Sequence, residues 1–88
     1  MIAMYNTIFR KRLSNVPEKQ KELLYAISKE GEARQILSGK FIRRYSLTSS
    51  SSVQAAAKKL LEKDLITETN KLYAVTDKLF AMWIKKNI

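Results

Sequence analysis

Four consecutive serines, Ser49, Ser50, Ser51 and Ser52, lead into Val53 and Gln54 and then, after three alanines, into Lys58 and Lys59. Hydroxyls, a carboxamide and two ammonium groups at this spacing can hold phosphate oxygens and hydrogen-bond a base edge. They form no recognisable catalytic or metal-binding constellation. Histidine and cysteine are both absent, so the usual zinc sites and most nucleophile–base pairs are ruled out. The eight carboxylates, Glu18, Glu22, Glu30, Glu32, Glu62, Asp64, Glu68 and Asp77, are scattered along the chain. No glycine-rich phosphate loop occurs. We therefore expect no enzyme activity, no cofactor, no metal and no small-molecule ligand.

Charge narrows the partner. Seventeen Lys and Arg against eight Asp and Glu leave +9 on 88 residues. The excess is concentrated. Residues 33–48 carry Arg34, Lys40, Arg43 and Arg44 with no acid, and residues 49–63 add Lys58, Lys59 and Lys63 against Glu62. Such a region attracts polyanions through long-range attraction and counterion release. The longest apolar run, residues 79–84, is too short to span a bilayer. The opening "MIAMYNTIFRKRL" lacks the unbroken apolar centre of a secretory signal and is read as helix. With no cysteine to oxidise, a reducing, cytoplasmic location is expected.

The elements that must position these groups follow from periodicity. Tyr5, Ile8, Phe9 and Leu13 recur at helical spacing over residues 2–13. Asn15 and Glu18 have capping-box form with Pro17 in the first turn of a second helix. Its inner face is Gln20, Leu23, Leu24 and Ile27, and Gly31 ends it. Residues 34–37 form a brief strand or a loop. Ser38 caps a third helix over residues 39–45, with Phe41, Ile42 and Tyr45 inward. After the turn "SLT", a fourth helix covers residues 51–63. Residues 65–69 and 72–76 are β-prone around Asn70-Lys71, the signal of a tight hairpin. Thr76 or Asp77 then caps a last helix with the stripe Leu79, Phe80, Trp83 and Ile84. Phe80 and Trp83 are expected to seal the underside of the hairpin.

Two helices joined by a short turn and followed by a hairpin give the winged helix-turn-helix order. The expected fold is mainly α with a small β-hairpin, a winged helix-turn-helix carrying extra N- and C-terminal helices. The serines acquire a role in that frame. In the fourth helix Val53, Ala56 or Ala57, Leu60 and Leu61 share the core face, and Ser51, Ser52, Gln54, Ala55, Lys58, Lys59 and Glu62 share the other. One of Thr48, Ser49 or Ser50 caps the helix, worth about 1 kcal/mol. The remaining hydroxyls and free N–H groups lie at its positive end, a natural phosphate contact. Gln54 is placed to read a base edge, with Lys58 and Lys59 on phosphates.

The segments "SSSVQAAAKKLLEKDLI" and "YAVTDKLFAMWIKK" carry a resemblance. Ser52, Val53, Ala56, Leu60, Leu61, Leu65, Ile66, Val75, Asp77, Phe80, Trp83 and Ile84 match the pattern of the C-terminal winged-helix region of archaeal-type, AAA-like P-loop ATPases of archaea and bacteria. The chain resembles that region over about residues 15–86. The resemblance implies that residues 1–14 are the last helix of a preceding ATPase lid and residues 15–88 the winged-helix domain. It departs at Lys78, where the family often has proline. None of the nucleotide site is present, so no ATPase residue carries over.

The leading functional expectation is a duplex-DNA-binding module, a C-terminal fragment of a larger ATPase, working largely through phosphate contacts. Its candidate nucleic-acid residues are Ser50, Ser51, Ser52, Gln54, Lys58, Lys59, Arg43, Arg44 and Lys71. Two alternatives come from other classes. One is a protein-interaction or oligomerisation module packed on the ATPase domain of the parent chain or another subunit. The other is a free-standing small dimeric transcriptional regulator.

Overall fold

The computed structural model describes residues 2–87, and side chains from residue 6 onward. Five helices and one hairpin follow in order: α1 (Ile2–Ser14), α2 (Glu18–Glu30), α3 (Gly39–Arg44), α4 (Ser50–Glu62), β1 (Ile66–Thr69), β2 (Leu72–Val75) and α5 (Lys78–Asn87). This is the expected mainly helical chain with a two-stranded antiparallel hairpin.

Local chemistry sets most boundaries. Ser38 Oγ accepts from the Phe41 N–H at 3.2 Å and starts α3. Ser49 does the same for Ser52 and starts α4. Asp77 Oδ1 accepts from the N–H groups of Leu79 and Phe80 at the head of α5. α3 ends with Ser46 at φ 54° and α4 with Asp64 at φ 59°. In each case the next residue bonds back five positions, Leu47 N–H to Ile42 O and Leu65 N–H to Leu60 O. These are left-handed helix stops that satisfy the last carbonyls. The start of α2 differs from expectation. Pro17 itself is the N-cap, with no side-chain cap hydrogen bond, so Asn15 closes no capping box. Proline fixes φ near −65° and lacks the N–H, so the helix starts after it without help.

The hairpin pairs Ile66 with Val75 and Thr69 with Leu72. Asn70 and Lys71 both have positive φ, 51° and 64°, as a two-residue turn matched to strand twist requires. Ala33 adds one bridge on the far edge of β2, exchanging N–H···O bonds of 2.8 and 2.9 Å with Tyr73. Of the brief strand or loop expected over residues 34–37, the loop is what forms, with a single bridge one residue earlier. Gln35 at φ 50° turns the chain away before a second pair forms.

Leu23, Leu24 and Ile27 of α2, Leu60 of α4, Ile66 of β1, and Phe80 and Ile84 of α5 form the fully buried centre. Each such side chain contributes about 1.5–3 kcal/mol through burial. Buried Ser28 is satisfied by the Leu24 carbonyl at 2.8 Å. α1 joins the same core. Phe9 is 4% exposed, with its ring 5.1 Å from that of Phe80 and 5.8 Å from that of Trp83. The aromatic pair of α5 therefore also receives Phe9, a contact the sequence reading did not include. Asn6 Oδ1 accepts from the Trp83 indole at 2.8 Å. Arg12 covers the Phe9 and Phe80 rings and pairs with Asp77 at 3.6 Å. Leu79, expected in the apolar stripe, is 55% exposed. It lies about 100° round the helix from the buried Phe80. The Tyr5 side chain expected beside Phe9 lies outside the described residues.

Candidate nucleic-acid interface

α4 is held by one face and open on the other. Val53, Ala56, Ala57 and Leu60 are buried, while Ser50, Ser51, Gln54, Ala55, Lys58 and Lys59 are exposed and Ser52 is half-buried. The Ser52 N–H is used by the Ser49 cap. Among the described residues the N–H groups of Ser50 and Ser51 have no acceptor. They stand with two exposed hydroxyls at the positive end of a helix of 13 residues.

The expected cations divide by position. Ser51, Gln54 and Lys58 line one side of a groove of about 560 Å³ whose other wall includes Leu37 and Tyr73. Lys71, at the hairpin tip, lines an adjoining hollow that shares Ile36, Leu37 and Tyr73 and includes Arg34. These groups come together on one surface. Lys59 points about 100° away from Lys58 and pairs with Glu62 at 3.6 Å, both more than half exposed. Such a pair is weak but occupies the ammonium. Arg43 is exposed and folds back over Gly39, where an added Cβ would lie 2.9 Å from its Nη1.

Arg44 is exposed but engaged by a carboxylate of the protein itself. Its Nη1 lies 3.2 Å from Glu30 Oε2, and the Tyr45 hydroxyl donates to the same oxygen. The Tyr45 hydrogen bond is the main cause holding the Glu30 carboxyl below its ordinary 4.5, with Arg44 adding to it. Burial, then that hydrogen bond, pushes the Tyr45 phenol up to about 12. The three groups tie α3 to the end of α2. Burial and then the Glu68 charge raise the Tyr73 phenol too.

Sequence reasoning missed Leu37 and Tyr73. Leu37 is 43% exposed and Tyr73 is half-buried. Tyr73 is placed by the hairpin, and the Ala33 bridge ties the loop that carries Leu37 to it; no local signal in the sequence carries that bridge.

No cluster of three or more potential metal-ligating side chains occurs among the described residues. None of the described helices is long and apolar enough to cross a membrane. A family model described as a probable winged helix domain matches residues 7–86. No curated protein and no solved structure matches the chain.

Proposed function

The chain belongs to the probable winged helix domain family, and from that premise we propose that it binds duplex DNA by laying α4 in the major groove. One observation carries this reading. α4 is anchored by Val53, Ala56, Ala57 and Leu60 and offers Ser50, Ser51, Gln54, Ala55 and Lys58 to solvent, with unused N–H groups at its positive end. Small residues let the helix approach closely. The N–H groups, hydroxyls and Lys58 take phosphates, and Gln54 reaches a base edge. Lys71 at the hairpin tip takes a neighbouring phosphate. Arg43 contributes by reaching across Gly39, and Arg44 keeps its bond to Glu30. Titrating a short duplex into labelled protein and following backbone amide NMR shifts tests the orientation. Changes should concentrate on residues 50–58 and 70–71. Changes confined to α1 and α5 would reject it.

A second reading rests on a different surface. Leu79 and Met82 on α5 are 55% and 62% exposed, and Ile8 on α1 is exposed too, which favours a protein contact along the terminal helices. In a parent ATPase of the kind the sequence resembles, the ATPase body would be that partner. A light-scattering mass above the monomer, restored to the monomer by Met82→Asp, would support this reading; a monomer unchanged by the substitution would count against it.

A further inference from the structure

We infer that the trough between α4 and the hairpin is a docking site for a short acidic, amphipathic protein segment. The inference goes beyond DNA binding, because DNA leaves the floor of this trough unexplained. Leu37 is the one large apolar side chain among the described residues that is exposed outside the terminal helices. It sits beside half-buried Tyr73 and the Ala55 methyl on α4. A phosphate backbone gains nothing from a leucine and an aromatic ring. An apolar side chain from a partner would bury them.

Charge selects the partner. Lys58 stands on the α4 rim, and Arg34 and Lys71 line the connected hollow at the other end. All three lack a carboxylate partner among the described residues, whereas Arg12, Arg44 and Lys59 have one. Glu68 is the single acid lining either part. An apolar floor between unpaired cations complements a leucine or phenylalanine flanked by aspartates and glutamates. Carboxylates on the segment would take Lys58 at one end and Arg34 or Lys71 at the other, fixing its direction. Ser51, Gln54 and Lys58 belong to both surfaces, so the segment and duplex DNA would exclude one another. An acidic partner could thus release the protein from DNA.

The test uses the whole chain and a fluorescein-labelled peptide of glutamates and aspartates carrying leucines at helical spacing. A second peptide has every leucine replaced by serine. The leucine peptide should bind at micromolar concentration, at least about tenfold tighter than the serine peptide, the size expected for burying one large apolar side chain. Leu37→Asp should remove that advantage, and Leu37→Met should restore it. Leu37→Ser gives the same comparison if the aspartate variant melts early. Equal binding of the two peptides, or indifference to Leu37→Asp, would overturn the proposal. So would a labelled oligothymidine that depends on Leu37 while the peptide fails to bind. Unlabelled leucine peptide should also displace a labelled duplex. Duplex binding without peptide binding sinks this proposal and leaves the DNA reading standing. Peptide binding without duplex binding does the reverse.

Discussion

Lys58 and Lys59 are adjacent in the sequence, yet the fold gives them different surroundings, and separating them tests the proposed orientation of α4. Lys58 shares its groove with Ser51 and Gln54. Lys59 lies about 100° further round and holds Glu62 at 3.6 Å. One phosphate neutralised on duplex DNA contributes about −0.9 to the slope of log affinity against log salt. Loss of that contact at 0.1 M salt therefore costs about eightfold in affinity and makes the slope about 0.9 shallower. Lys58→Ala should show both changes. Lys59→Ala removes only a screened long-range attraction and should stay within about twofold of the parent, with its slope unchanged. Anisotropy of a labelled mixed-sequence duplex, titrated at several salt concentrations with each variant, reads both quantities. Equal damage from the two substitutions, or a Lys58→Ala slope identical to the parent's, would refute the orientation.

Other consequences concern the scaffold. Phe9→Ala empties the site between Phe80 and Trp83 and should cost about 3–5 kcal/mol, lowering Tm by more than about 12 °C; a shift below about 4 °C in a circular-dichroism melt would mean α1 is not docked. Lys71→Gly relieves a left-handed backbone at φ 64° and should stabilise by about 1 kcal/mol while weakening DNA binding, so Tm and affinity must move in opposite directions. Tyr45 is raised to about 12 from 10.0, so its contribution to stability is complete below pH 10 and lost as pH rises through about 12. Glu30, lowered from 4.5, contributes fully above that value and loses its share as pH falls. Urea midpoints across the alkaline range should decline less steeply in Tyr45→Phe than in the parent, and an unchanged decline would disprove the raised Tyr45 phenol.

What the sequence revealed and what it hid divide along the range of the interactions. Ser38 was legible as a cap, and the caps Ser49 and Asp77 were narrowed to three and two candidates, because a cap acts within three residues. Asn70 and Lys71 were legible as a turn, and the period of Val53, Ala56 or Ala57, Leu60 and Leu61 gave the inner face of α4, on which both alanines are buried and Leu61 is half-buried. Contacts between distant segments were not legible. Nothing near Ala33 announces its bridge to Tyr73, and nothing in α5 alone says that Phe80 and Trp83 wait for Phe9. Arg44 read as a free cation because Glu30 lies 14 residues earlier on another helix. The DNA-facing candidates Ser51, Gln54, Lys58 and Lys71 came from one helix face and one turn tip. Leu37 and Tyr73, which complete the trough, depend on how the loop after α2 crosses the hairpin.

The most direct test of the central claim is the salt dependence of duplex binding by the unaltered chain. Micromolar affinity at low salt, falling with a slope of about −2 to −4 in log affinity against log salt, is the result expected when two to four phosphates are held by α4 and its neighbouring cations. No binding at low salt, or an affinity indifferent to salt, would contradict the DNA reading and leave the +9 charge to serve a protein partner.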